Sequence, residues 1–366
     1  MGLRSFPWIS LRWSLTFCLA GLSASAVAQT AFKLTEVPVF SDLHYPAATS
    51  AGAVNRTGWT AASFSLNTGG GSAYRCNKTE CEPIPTDSCF KNSAWASDIN
   101  DAGIVAGAKP FSYEGCKYRA YTFDGTTVKD LGGFKEGWCD GCDLGSSANG
   151  INNLGQVVGQ GDTADGNWRA FLWQDDVMQK LGTLGGELSE ATAINEEGVV
   201  AGHATRADGY WHAFMYRNGK MRDLGTLGGS QSFAYGLNHA RQVVGCSHVV
   251  GNTRMGAFIY DNGTMSPLPG LGDSYACAHG INDRGWVVGE FRSADDNQDH
   301  AFLFDGTTTI DLNDTLSAAD RAVWLVSYAG GINKRGQIAG AGTHKVYGVV
   351  RALLLTPRDP REDAKR

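Results

Sequence analysis

Cys139-Asp140-Gly141-Cys142 is the tightest pairing of reactive side chains in the sequence. Two thiols at that spacing can hold half of a zinc site or run thiol–disulfide exchange. A zinc site needs a second matching pair, and an exchange motif needs a strand–helix–strand setting. Neither stands in the sequence, so the expected chemistry is a structural disulfide, within the motif or to another cysteine. Setting aside Cys18 leaves eight of the nine cysteines, an even number that reads as disulfides in an oxidising compartment. Cys76 and Cys81 flank "NKTE"; with Lys78 and Thr79 at the turn they face each other as a close strand pair. Cys89 with Cys116, and Cys246 with Cys277, are further candidates among on the order of a hundred full pairings.

Eight histidines raise the question of a metal. His212 and His300 occupy equivalent places in separate repeats, and a strand-start role explains them without one. His203, His239, His248, His279 and His344 fall at scattered phases. Asp98, Asn100 and Asp101 supply too few oxygens for a calcium loop. Phosphate-cradling loops, His-Glu-x-x-His and Gly-x-Ser-x-Gly are missing. "LGTLGG" (181–186 and 224–229) precedes a strand and reads as a link. No metal, cofactor or catalytic residue is assigned.

The remaining candidates are aromatic and acidic. Trp138, Trp168, Tyr210, Trp211 and Trp324 stand beside Asp162, Asp165, Asp208, Asp295, Asp296 and Asp299. Aromatic platforms with acceptors suit a sugar or a peptide. The plainer reading has the tryptophans covering sheet edges and the aspartates solvated. A glycoside hydrolase needs two carboxylates on one cleft; Asp295 and Asp296 share a loop, so a partner must come from another repeat.

What positions these residues is a repeated phrase: "INNLGQVVG" (151–159), "INEEGVVAG" (194–202), "INDRGWVVG" (281–289) and "INKRGQIAG" (332–340). Its asparagine recurs at Asn55, Asn100, Asn152, Asn195, Asn238, Asn282 and Asn333, about 43–52 residues apart. Asparagine can open a turn by bonding its own backbone two residues on. Gly58, Gly103, Gly155, Gly198, Gly285 and Gly336 follow at the left-handed position of the turn. Arg241 replaces the fifth copy's glycine, so that turn is either strained or differently shaped. A second hairpin follows, marked by Asn218-Gly219 and Asn262-Gly263. Two hairpins make four strands, and seven four-stranded repeats of this length predict a seven-bladed β-propeller.

Ala51, Ala96, Ala148, Ala191, Ala234, Ala278 and Ala329 all precede their asparagine by four residues, which suits a crowded inner strand. The last copy ends at its third strand, "RALLLTP" (351–357), whereas "FKLTEVPVF" (32–40) precedes the first copy. Residues near 32–37 are expected to complete the seventh blade and leave no open sheet edge. An open solenoid would need polar caps, and none is seen. Tight turns then share one face of the ring. Long links at 108–118, 134–147, 160–168, 203–211, 246–255, 290–299 and 313–327 share the other, where binding normally sits.

At this point the residues resemble a family. "WHAFMYRNGKMRDLGTLGGSQSFAYGLN" (211–238) is similar to the secreted bacterial HAF-repeat proteins, named for the tripeptide seen as His212-Ala213-Phe214 and His300-Ala301-Phe302. Elsewhere Arg119 and Arg169 replace the histidine, and "GAF" stands at 256–258. The resemblance implies export and no assigned activity, and it carries over no catalytic residue.

Residues 1–28 read as a secretory signal: Arg4 and Arg12, an apolar "LTFCLAGL", and a small-residue "SASAVAQT" cut after Ala28. Removing its two arginines moves the formal charge from −6 to −8, since it contains no acid. With no basic run, nucleic acid is a poor partner, and no later stretch is apolar enough to span a bilayer. The expected organisation is a signal (1–28), a propeller (29–357) and a charged tail (358–366). The expected function is an exported, monomeric, non-enzymatic module of the periplasm or medium that binds glycan or protein or serves as a scaffold. The alternative is a polysaccharide lyase or hydrolase with its site on the long-link face.

Overall fold

In the computed structural model the nine-residue phrase is a hairpin, and seven such hairpins stand around one axis. Residues 31–38, 47–66, 71–86, 94–111, 117–135 and 144–358 are described. The expected signal, the tail from residue 359 on, Trp138, and Cys89, Cys116, Cys139 and Cys142 lie outside them.

Seven antiparallel four-stranded sheets form the blades. Blade 1 comprises Ala47–Val54, Thr60–Leu66, Gly71–Cys76 and Cys81–Pro83; blade 2 comprises Trp95–Ile99, Val105–Phe111, Lys117–Phe123 and Val128–Asp130. Blade 3 runs Ser146–Ile151, Val157–Asp162, Trp168–Gln174 and Val177–Lys180; blade 4 runs Gly185–Ile194, Val200–Arg206, Trp211–Arg217 and Lys220–Asp223. Blade 5 is Gly228–Leu237, Val243–Val249, Met255–Asp261 and Thr264–Pro267; blade 6 is Ala276–Ile281, Val287–Arg292, Asp299–Phe304 and Thr309–Asp311. Blade 7 is Trp324–Ile332, Ile338–His344 and Val349–Pro357, and its outer strand is Phe32–Glu36.

That outer strand makes the expected clasp. Phe32 pairs with Pro357 and Glu36 with Leu353, antiparallel throughout. Phe32 is fully buried against Leu353 and Leu355. The inner strand of blade 7 packs on that of blade 1, where a Cβ on Gly330 would meet the Gly52 carbonyl at 2.7 Å. Only glycine permits that approach. All seven phase-matched alanines are buried on the inner strands.

The asparagine turn has the expected shape, with a further arm that the sequence did not reveal. Asn152 Oδ1 accepts from the Leu154 and Gln156 amides, while its Nδ2 donates to the Asn195 carbonyl of the next blade at 3.0 Å. The same donation runs from Asn55 to Asn100, Asn100 to Asn152, Asn195 to Asn238, Asn238 to Asn282 and Asn282 to Asn333. Asn333 returns it to Asn55. Seven side chains thus tie seven turns into a closed ring, and every one is buried. Arg241 takes φ 66° and keeps the turn's amide bond to Asn238 at 3.1 Å. The fifth turn is therefore strained and keeps the same shape.

Candidate functional site

The histidines of the repeated tripeptide fasten the outer strands. His212 Nδ1 lies 2.9 Å from both carboxylate oxygens of Asp223. His300 Nδ1 is 2.5 Å from Asp311, and its Nε2 is 3.0 Å from Asp296. Arg119 reaches Asp130 in the same way at 3.3 Å. Each is a third-strand residue held by a fourth-strand acid. A serine then joins the next blade: Ser232 Oγ accepts the Ala213 amide and donates to the Gly225 carbonyl, and Ser189 does the same with Ala170 and Gly182. The tripeptide, "DLG" and the following serine are one blade-to-blade fastener.

Among the described residues the aromatic and acidic candidates of different blades share no hydrogen bond or ring contact. Trp168 and Tyr210 are 37% and 48% exposed. Trp324 is buried in the core beside Phe32 and Leu312. Asp296 accepts from the Gln298 amide and pairs with His300, within its own loop. Trp211 lies edge-on to His203 of its own blade, with centroids 5.3 Å apart.

A different constellation forms there. In each blade the residue before the phase-matched alanine pairs across to the second strand. Blades 1 and 3 place Ser50 with Ser63 and Ser147 with Gln160. Blades 4 to 6 place Glu190 with His203, Phe233 with Cys246, and Cys277 with Glu290; blade 7 places Tyr328 with Ala341. The residue after the alanine is Tyr235 in blade 5 and His279 in blade 6. Glu190 Oε2 lies 3.4 Å from His203 Nε2, and Asn149 Nδ2 donates to Glu190 Oε1 at 2.8 Å. Tyr275 donates to Glu290 Oε1 at 3.0 Å. His279 Nε2 stands 3.5 Å from that oxygen, too poorly aligned to count as a hydrogen bond. The rings run on as a wall: His203 to Phe233 at 5.1 Å, Tyr235 to His279 at 5.3 Å, and His279 to Tyr328 at 5.0 Å. The Cys246–Cys277 disulfide bolts blade 5 to blade 6 beside this wall, and Cys76–Cys81 closes a hairpin of blade 1.

Both carboxylates act on one hydroxyl. Burial raises the Tyr235 pKa, and Glu190 and Glu290 raise it further. Burial, Glu290 and Tyr235 push Tyr328 up to about 12. Burial alone would raise Glu290, but His279, the Tyr275 hydroxyl and Arg292 outweigh it and hold the carboxyl below its ordinary value.

Further along the axis is a cavity of about 200 Å³, walled by Asp98, Asn149, Thr192, Tyr235 and His279 on one side and Gly52, Gly330 and Gly331 on the other. Asp98 occupies the place held elsewhere by Ala53, Gly150, Ala193, Gly236, Gly280 and Gly331. It accepts the Ile99 amide and, across the blade boundary, the Ile151 amide at 2.9 Å. Burial nevertheless raises its pKa. The asparagine ring and a second cavity of about 190 Å³ follow on the tight-turn face. A hollow of about 650 Å³ lies at the outer edges of blades 2 and 3, lined by Arg119, Asp130, Phe134, Lys135, Trp173 and Lys180 among others. Among the described residues no three of His, Cys, Asp and Glu gather as metal ligands.

Sequence reasoning missed Glu190, His203, Tyr235, His279 and Glu290. The signal was available in the alignment of copies, where positions flanking the invariant alanine are charged or aromatic at Trp95 in blade 2 and at Glu190, Phe233, Tyr235, His279 and Tyr328 in blades 4 to 7.

Comparison with known proteins adds a partial family match and a general fold. A family model described as "Protein of unknown function (DUF3466)" matches residues 48–184. No curated protein matches the chain. Among solved structures the chain is similar to TolB from Acinetobacter baumannii, at 13% identity and TM-score 0.43, covering 82% of this chain and 60% of that one. It is similar to a putative TolB from Agrobacterium tumefaciens at 13% identity and TM-score 0.45, covering 90% and 99%. An oligogalacturonate lyase in complex with manganese is similar at 9% identity and TM-score 0.46, covering 90% and 99%. These likenesses extend to the fold and no further.

Proposed function

We propose that the protein is an exported, monomeric, non-enzymatic binding module of the cell envelope, with glycan or protein as its ligand. Residues 1–28 act as the signal, 29–357 as the propeller and 358–366 as a charged tail, in the manner of the secreted HAF-repeat proteins. Two disulfides and the lack, among the described residues, of a helix long and apolar enough to cross a membrane are consistent with that compartment. The observation carrying the reading is the departure from small residues on the inner strands, at Trp95 and Asp98 in blade 2 and at Glu190, Phe233, Tyr235, His279 and Tyr328 in blades 4 to 7. A frame of repeated small residues maintains shape at every blade, and such departures from it are what a ligand site requires.

The competing reading is a carbohydrate-active lyase or hydrolase, favoured by the joint effect of Glu190 and Glu290 in raising the Tyr235 pKa. A general acid works best with a raised carboxyl pKa, whereas Glu290 is held low, which weighs towards binding. A glycan-array screen, with Trp168→Ala and Trp211→Ala beside the native protein, tests the first reading. Loss of signal in Trp211→Ala supports the axial mouth, and binding that survives both substitutions removes this face. Release of reducing or unsaturated ends from a bound polysaccharide, abolished in Glu290→Gln, would instead establish the enzyme.

A further inference from the structure

We propose that the tight-turn mouth of the ring, at the junction of blades 7 and 1, binds the carboxylate of an aspartate or glutamate side chain from a partner polypeptide, held between Lys334 and Arg56. The site lies at the end of the axis away from the long links and is independent of any ligand on that face.

The residue after each marker asparagine lines the cavity of about 190 Å³ at this mouth. At four junctions its side-chain oxygen also accepts the main-chain amide of its counterpart in the preceding blade. Asp101 accepts from Arg56 at 2.9 Å, Asn153 from Asp101 at 2.7 Å, Glu196 from Asn153 at 3.1 Å and Asp283 from His239 at 3.0 Å. A carboxylate or amide oxygen is thus the native occupant of that place. Between blades 7 and 1 the marker bond from Asn333 to Asn55 persists, so the two turns keep the same relation. The following residue there is Arg56, whose guanidinium cannot accept. Among the described residues no side chain accepts the Lys334 amide. The place is built and its acceptor is missing.

Charge is a second, independent observation. Lys334 and Arg56 are successive cations around the ring, and each is balanced only on its far side. Lys334 Nζ lies 3.1 Å from Asp283, and Arg56 Nε lies 3.8 Å from Asp101. An anion between them accepts the Lys334 amide and takes a cation on either flank. The wider end is polarised in the same sense. The turns of blades 6, 7 and 1 carry Arg284, Lys334, Arg335 and Arg56 against Asp283, whereas those of blades 2 to 4 carry acids and no cation. An acidic segment is therefore steered to one sector of the mouth.

The native occupants also set the kind of anion. Asp101, Glu196 and Asp283 bring their carboxylates on short methylene stems, and a like side chain from another chain reproduces that reach. A sugar acid carries its carboxylate directly on the ring and lacks the stem. One such contact is weak at an open mouth, and a polypeptide adds others around it.

Amide resonances of the isotope-labelled protein, followed during titration with Nα-acetyl-aspartate methylamide, test this. The Lys334 amide is expected to shift, while the Asn153 amide, already bonded to Glu196 across the mouth, stays in place. Nα-acetyl-asparagine methylamide and galacturonate are expected to act more weakly. Arg56→Asn supplies the missing acceptor from within, as Asn153 does. It is expected to move the Lys334 amide towards its ligand-bound position without any ligand, and to weaken aspartyl binding about tenfold or more. Lys334→Ala keeps the amide, removes the ammonium group and is expected to weaken binding about threefold, the scale of one exposed ion pair. A Lys334 amide unmoved by the aspartyl compound, or moved equally by the asparagine compound, overturns the proposal on native protein alone. Aspartyl binding unchanged in Arg56→Asn overturns the placement, and tighter binding of galacturonate overturns the polypeptide source.

Discussion

The side-chain amide of Asn333 donates to the backbone carbonyl of Asn55 at 2.8 Å, although 278 residues separate them. It is the same bond that each marker asparagine makes to its successor, applied across the chain's two ends. Asn333→Ala removes this donor and the acceptor that holds the Arg335 and Gln337 amides. The expected loss is about 2–4 kcal/mol, because the buried groups left behind lack partners. Asn333→Asp keeps the acceptor but buries a charge, and at neutral pH it is expected to cost at least as much. Urea unfolding of both variants checks this, and an unchanged midpoint in Asn333→Ala would show the ring to be incidental.

The clasp can be probed without touching the ring. Phe32→Ala is expected to destabilise by about 3–5 kcal/mol, the usual range for emptying a buried aromatic site. Lys33→Ala, at an exposed neighbour in the same strand, serves as the control and should be neutral. Deleting residues through Glu36 leaves the Val349–Pro357 edge unpaired, and self-association on a sizing column is the expected result.

A pH dependence follows from His300. Burial lowers its pKa, but Asp311 and Asp296 raise it more, leaving it above the ordinary 6.5. The folded protein thus holds the proton more tightly than the unfolded chain does. The stability gained is complete below about pH 6.5 and is lost as pH rises through the higher folded value. Stability measured from slightly acid to alkaline pH should therefore fall, and His300→Gln should flatten that fall. Asp311→Asn should bring the imidazole titration, followed by proton NMR, back towards 6.5. A titration unmoved by that change would mean that the short contact with Asp311 carries no charge interaction.

Cys246→Ala with Cys277→Ala opens a loop of sequence separation 31. The expected cost is about 3–4 kcal/mol on chain-entropy grounds. A matching drop in melting temperature on reduction of the native protein, absent in the double variant, is the check.

Much of the frame is legible in the sequence because its causes are local. Asn238 and Asn282 announce turns, Ala234 and Ala278 announce a crowded strand, and the surplus strand at Phe32 matches the deficit after Pro357. Cys76–Cys81 follows from one hairpin. Arg241 was ambiguous because only coordinates separate strain from a different turn. The group formed by Glu190, Tyr235 and Glu290 stayed hidden for another reason. The three lie far apart in sequence, and only the folded ring lets both carboxylates raise the Tyr235 pKa. His203 and His279 looked scattered because one sits on a second strand and the other on a first.

The clasp also dictates an order of events for a chain made from one end. Phe32 emerges among the earliest described residues, and its partner Pro357 among the last. Through synthesis and any threaded passage that outer strand waits without its mate, and six blades can assemble before the seventh is complete. A chain stalled near Leu353 would thus hold nearly every native contact yet remain an unlocked circle, the form most exposed to proteases and to stray copies of itself.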